Sequence, residues 1–339
     1  MELHVGTYTD AGGAGLYRLP YGNGSWSLGE AYGFAPNASF GAYSRRYDLN
    51  YLVDERDEGV LRVLRRVGIE WQPLARLPTQ GALPCYVALS ADEAWLAVAN
   101  YGSGSMALFR LDSESGLPGD PVALRTNQGH GPVADRQEGP HAHCVIFSPD
   151  GRWLYQTDLG TDQVLAFAFD GAHGLADAPR VAFAAAAGSG PRHLVFHPHR
   201  PIAFLVSELA STLTMFDVGE GALSARQSVS TLPSGFGGKS LGGHIGINAA
   251  GDRIYVTNRG HDSIATFALD AAGRVSLLEH IPSEGASPRF FLLLDERRRM
   301  LVANEEGNSV TVFEIEPDGT LAKSAEVAVP APVFLFAQR

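Results

Sequence analysis

The chain has 339 residues, of which 45% are hydrophobic and 19% charged, with 39 glycines and 20 prolines. The apolar share is ample for a core, while the low charge and the glycine content exclude a disordered chain or a long solvated helix and imply many tight turns. A net charge of −11 repels nucleic acid and anionic membrane surfaces, so an anionic small molecule has to be captured by a local group of Arg and His side chains.

Along the chain one pattern recurs: a turn, a short apolar run, a small polar residue, a loop, then a second alternating run. It runs from Val5-Gly6-Thr7 to Tyr17, from Tyr51-Leu52-Val53-Asp54 to Val63, and from Trp95 through Asn100 to Phe109. It continues from Ser148-Pro149-Asp150-Gly151 through Asp158 to Phe167, and from Pro198 through Glu208 to Phe216. The last copies run from Asn248 through Asn258 to Phe267 and from Met300 through Asn304 to Phe313. The anchors at 7, 54, 100, 158, 208, 258 and 304 are separated by 47, 46, 58, 50, 50 and 46 residues. Repeats of roughly 40–50 residues made of short strands are propeller blades, so the pattern predicts an all-β, seven-bladed β-propeller as a single domain over 1–339.

Inner strands are predicted at Pro84–Leu89, Ala142–Phe147, Pro191–Phe196, Gly243–Ile247 and Pro288–Leu293. The first unit has none of its own. The C-terminal segment Pro332-Val333-Phe334-Leu335-Phe336 is predicted to supply it and so remove an exposed sheet edge.

Two cysteines, Cys85 and Cys144, exclude a disulfide framework and fit a reducing compartment. The amino terminus lacks the basic and apolar regions of a secretory signal, and the apolar run Val181–Gly188 is far too short to span a bilayer. A cytoplasmic protein is expected, either a monomer or a weak homo-oligomer, with no nucleic-acid or membrane partner.

In a propeller, an antiparallel neighbour brings the end of the second strand beside the start of the inner one. His141, His143, Arg192, His193, His244 and Arg289 lie at inner-strand starts, and Asn100, Tyr101, Asp158, Glu208, Asn258 and Arg259 at second-strand ends. These positions are predicted to converge at one mouth of the central channel. Asn and Asp at such turns commonly cap backbone groups, which is the expected role of Asn100, Asn258 and Asn304 and the competing one for Asp158. His197 and His199 are expected to face solvent. Arg and Glu are rarely buried unless paired, so Arg192, Glu208 and Arg259 are read as a binding site. His141-Ala142-His143 offers two imidazoles on one side of a strand, a weak metal pattern, so no metal or other cofactor is expected. There is no phosphate loop and no Gly-x-Ser-x-Gly elbow, and Gly235-Phe236-Gly237-Gly238 is not followed by a helical pattern.

The chain resembles the lactonase family of seven-bladed propellers, which includes propeller-type 6-phosphogluconolactonases and fungal carboxymuconate cycloisomerases. The resemblance covers the whole chain. It rests on Gly6-Thr7-Tyr8-Thr9, on Arg136 through His143, on Asp158 through Asp162, and on Gly190-Pro191-Arg192-His193-Leu194. Ser207-Glu208-Leu209, Asn258-Arg259-Gly260-His261 and Pro288-Arg289-Phe290 complete it. The resemblance implies His143, Arg192, Glu208 and Arg259 as catalytic residues. His141, Asp158, His193, His244 and Arg289 are then expected to bind substrate. Gly243-His244-Ile245 departs from the family, which usually carries a carboxylate there.

Lactone hydrolysis needs activated water and a stabilised oxyanion. Glu208 or His143 is the expected base, and Arg192 or Arg259 the oxyanion donor. The other Arg, with Arg289 and His193, is expected to grip an anionic group. The expected substrate is a small anionic lactone, 6-phosphogluconolactone first, which would place the protein in the pentose phosphate pathway. The alternatives are a carboxymuconate-type cycloisomerase of aromatic catabolism and a non-enzymatic binding platform.

Overall fold

A computed structural model describes residues 2–338. The fold is all-β: seven antiparallel sheets follow one another along the chain as the blades of a seven-bladed β-propeller, and one 3-10 turn, Asp295–Arg297, interrupts the strands among the described residues. Blade 1 has the order Pro332–Gln338, Glu2–Thr7, Leu16–Arg18, Ala31–Tyr32, so the C-terminal strand is its inner strand. Glu2 pairs with Gln338 and Gly6 with Phe334, and Val333, Phe334 and Leu335 are buried. The closing strand predicted from sequence is therefore present, two residues longer than expected.

The described residues form two compact units. One comprises residues up to Pro36, His193–Asp217 and Ala225 onward; the other comprises Asn37–Arg192 and Val218–Ser224. In the first unit, Ile202, Phe204 and Val206 of one blade pack on Ile245, Ile254, Val256 and Phe267 of the next. Tyr255 and Ile264 then pack on Phe291, Met300, Val302 and Phe313. Second strands such as Ile202–Ser207 are buried at every residue, which is why they read as continuous apolar runs. Outer strands such as Ala222–Ser230 are mostly exposed and alternate exposed with half-buried positions over residues 226–230, because one face meets solvent.

In the second unit, second strands Leu49–Asp54, Trp95–Asn100 and Trp153–Asp158 end on the predicted anchors. The 58-residue spacing before Asp158 accommodates the connection between strand Pro118–Thr126 and strand Ala142–Phe147. The outer edge of that blade is split, since Gln163–Asp170 pairs with both Gly174–Leu175 and Arg180–Ala184. Pro179, which lacks an N–H, precedes the second piece.

The anchor asparagines cap, as expected. Asn100, Asn258 and Asn304 donate from Nδ2 to the carbonyls of Thr79, Thr231 and Ser283 respectively, and to the hydroxyls of Ser105, Ser263 and Ser309. His197 departs from expectation. It is buried, and its Nδ1 accepts the backbone N–H groups of His199 and Arg200, so the ring organises the His-Pro-His-Arg turn from inside. His199 is the outer residue, with Nε2 against the Ala249 carbonyl at 2.9 Å.

Candidate active site

The ladder between inner and second strands slips at the same place in several blades. Register shifts fall between Pro84 and Tyr86, Ala142 and Cys144, Gly242 and Ile245, and Pro288 and Phe290. The residues skipped are Cys85, His143, Gly243 with His244, and Arg289. A bulge frees a residue from the ladder and re-aims its side chain, so one device presents candidate after candidate at the start of the inner strand. At residue 243 only glycine fits, because a Cβ would lie 2.4 Å from the Thr257 hydroxyl and 2.7 Å from the Pro288 carbonyl.

Five candidates belong to the first unit. The Glu208 carboxylate, 2% exposed, pairs with Arg259 at 2.8 Å (Oε2 to Nη2). Arg259 Nη2 also donates to the Gly242 carbonyl at 3.0 Å, and the Gly242 N–H donates to the Glu208 carbonyl at 2.8 Å. Carboxylate, guanidinium and bulged strand are thus locked together. The Arg259 Nε is buried and has no protein acceptor among the described residues. His193 and His244 face each other with their Nδ1 atoms 3.0 Å apart, so one nitrogen donates and the other accepts. His244 also stacks on Phe290 at 4.2 Å and lies edge-on to Phe291. Arg289 donates to the Tyr8 hydroxyl at 2.7 Å, lies over that ring, and sits 3.6 Å from Glu305. Its guanidinium is engaged by these protein groups, as the His193 Nδ1 is by His244.

Four candidates belong to the second unit. His141 Nδ1 donates to the Tyr101 carbonyl at 3.1 Å, its Nε2 lies 3.2 Å from Glu138, and its ring stacks on Tyr101 at 4.4 Å. His143, 5% exposed, meets the edge of Tyr101, and its Nδ1 is 3.7 Å from the Cys85 sulfur. The Cys85 thiol donates to the His143 carbonyl at 3.3 Å. Arg192 is 2% exposed, and its carbonyl accepts from the Thr157 hydroxyl at 2.6 Å. Its guanidinium acts on Tyr86, whose hydroxyl burial and Cys144 hold well above the ordinary value, Arg192 opposing them.

Asp158 is fully buried. Oδ1 accepts the N–H groups of His141 and Thr161, and Oδ2 accepts Asn127 Nδ2 at 2.5 Å. Its oxygens hold the turn, which is the capping role. Gly160 in the same turn passes so close to Gly139 that a Cβ would lie 1.8 Å from its carbonyl oxygen.

Sequence reading missed Cys85, Tyr8 and Glu305. A signal for Cys85 exists: Pro84-Cys85-Tyr86 occupies the frame of Pro191-Arg192-His193 and Pro288-Arg289-Phe290. Tyr8, although it lies in the Gly6-Thr7-Tyr8-Thr9 motif, and Glu305 both reach Arg289 from positions that no local spacing connects to it. Among the described residues, no group of three or more His, Cys, Asp or Glu side chains is arranged to hold a metal ion, and no helix is long and apolar enough to cross a membrane.

Comparison with known proteins agrees with this architecture. A 6-phosphogluconolactonase of Bacillus subtilis is 30% identical over 343 residues, covering 97% of this chain and 96% of that protein. The structure of a periplasmic gluconolactonase of Pseudomonas aeruginosa superimposes with a TM-score of 0.90 at 29% identity, covering 99% of this chain and 98% of the other. A protein of Lactobacillus plantarum does so with a TM-score of 0.90, also at 29% identity and covering 99% of each chain. Residues 2–336 match the family described as lactonase, 7-bladed beta-propeller; the chain belongs to that family and is a lactone-hydrolysing enzyme.

Proposed function

We propose that this protein hydrolyses 6-phosphogluconolactone, with Glu208 as general base and Arg259 as the oxyanion donor. The observation that carries this reading is the buried Glu208–Arg259 pair together with the Arg259 Nε–H that no described protein group accepts. A guanidinium clamped through Nη2 by a carboxylate and the Gly242 carbonyl is pre-oriented, and its Nε–H is the donor that a developing lactone oxyanion takes up.

In this mechanism Glu208 accepts a proton from the attacking water as the water oxygen bonds to the lactone carbonyl carbon. The carbonyl oxygen gains charge and is held by Arg259. Collapse of the tetrahedral adduct breaks the ring C–O bond, and the ring oxygen leaves with the proton that Glu208 returns. General-base catalysis of this kind contributes about 10²–10⁴-fold, and one oxyanion donor about 10²–10³-fold. The name of the Bacillus subtilis relative supports the phosphorylated lactone as substrate; that of the Pseudomonas aeruginosa relative supports a gluconolactone acyl group. Neither cysteine forms a disulfide, which supports a reducing, cytoplasmic location.

A second assignment places the base at His143, favoured by its position on a bulge with Nδ1 directed toward Cys85. The experiment is pH-stat hydrolysis of a panel containing 6-phosphogluconolactone, glucono-1,5-lactone and a carboxymuconolactone. We expect the highest kcat/KM on the phosphorylated sugar lactone. Preference for the carboxymuconolactone would move the protein to the cycloisomerase reading.

A further inference from the structure

Within this functional reading, we infer that Lys239 is the residue that binds the substrate's phosphate, the anionic group remote from the lactone carbonyl. The two arginines at the Glu208 end of the first unit already have protein partners. Arg259 is neutralised by Glu208 at 2.8 Å, and Arg289 is held by the Tyr8 hydroxyl and Glu305. In this reading the Arg259 Nε–H is given to the oxyanion and Arg289 is already held by Tyr8 and Glu305, so a dianionic group calls for another cation.

Lys239 meets that requirement. It is one of only two lysines in a chain of net charge −11. The other, Lys323, is paired with Glu284 and Glu326. Lys239 is exposed, and no ion-pair or hydrogen-bond partner of its side chain occurs among the described residues. Its backbone, in contrast, is fixed beside the backbone of Arg259 and Gly260. Leu241 is in register with Arg259, and the Ser240 hydroxyl donates to the Arg259 carbonyl at 3.1 Å. The Lys239 carbonyl approaches Gly260 so closely that a Cβ there would lie 2.6 Å from it; Gly260 itself has φ +94°.

The segment before Lys239 is the glycine-rich run Gly235-Phe236-Gly237-Gly238, which the phosphate-loop and dinucleotide patterns did not absorb. Phe236 is pinned edge-on against His261 at 4.6 Å, while a Cβ on Gly235 or Gly237 would meet nothing within 4 Å. The loop is therefore anchored by one ring and by Ser240, with open space about its tip. A lysine on such a loop supplies a mobile point charge that suits a phosphate presented at variable angle better than a rigid fork does.

The test is steady-state kinetics of wild type, Lys239→Ala and Lys239→Arg on 6-phosphogluconolactone and on glucono-1,5-lactone, with calorimetric binding of the product 6-phosphogluconate. Lys239→Ala is expected to raise KM for the phosphorylated lactone about tenfold at unchanged kcat. KM for the unphosphorylated lactone should stay at the wild-type value, and Lys239→Arg should recover most of the loss. Binding of 6-phosphogluconate should weaken by a similar factor. A wild type that hydrolyses no lactone would overturn the functional reading, and the calorimetry would still judge Lys239. Equal effects on both lactones, or product binding unchanged in Lys239→Ala, would overturn the inference itself.

Discussion

Replacing His4 by Leu should flatten the acid limb of the stability profile. His4 is completely buried on strand Glu2–Thr7 and stacks on Phe336 of the closing strand at 5.0 Å. Burial, with the nearby Arg18 guanidinium, pushes its pKa down to about 3. The folded protein therefore holds a neutral ring where the unfolded chain, with an ordinary value near 6.5, takes up a proton. Because the folded pKa is depressed for a base, the stability is fully present above about pH 6.5 and is lost as pH falls toward 3. Between pH 7 and pH 5 the loss from this one group is about 2 kcal/mol. It stays near that figure for any folded pKa below about 4, so it does not depend on the depth of the shift. The assay is urea unfolding of wild type and His4→Leu at pH 7, 6 and 5. His197 and His280 are also lowered by burial and add to the wild-type slope, so the difference between the two proteins is the quantity to read. A difference that stays constant across this range would refute the reasoning.

Deleting residues 330–339 removes the inner strand of blade 1 with buried Val333, Phe334 and Leu335, worth roughly 1.5–3 kcal/mol each in transfer alone. It also unpairs Glu2–Thr7, and insolubility or a large fall in Tm is expected; an unchanged Tm would contradict the closure. Gln156 is fully buried, and its amide finds no protein partner among the described residues at a position where neighbouring repeats carry Val98 and Leu205. Gln156→Val should stabilise by about 1–2 kcal/mol in thermal or urea unfolding, and destabilisation would show that the amide is satisfied. Exhaustive chelation should leave lactone hydrolysis largely intact, and loss restored by one divalent ion would point to His141 and His143 with a carboxylate as ligands.

The blades were legible because each unit repeats a small set of local signals: a turn, an apolar second strand, and an Asn or Asp that ends it. Asn100, Asn258 and Asn304 do the same job in the same place, so the repeat announces itself. The closing strand was legible by subtraction, since blade 1 had no inner strand before Val5. The bulges were not legible, because each slip falls at the start of a strand of six or seven residues, where too few positions precede it for a break in the alternation to show. That slip separates His143 and Arg289 from the ladder, and no spacing argument reveals it. The commitment of Arg289 to Tyr8 was equally invisible, since 281 residues separate the partners. His197 was misplaced because His-Pro-His reads as a solvent-facing turn, whereas its ring serves as an internal acceptor for two backbone N–H groups.

The most direct test of the account is turnover of 6-phosphogluconolactone by wild type and Glu208→Gln, with thermal unfolding of both to show that the variant is folded. Removing the base while keeping shape should lower kcat by about 10²–10⁴-fold with KM changed little, and should abolish the acidic limb of the pH–rate profile. Near-normal kcat in folded Glu208→Gln, with the acidic limb retained, would contradict Glu208 as the base and leave the buried Glu208–Arg259 pair a structural one.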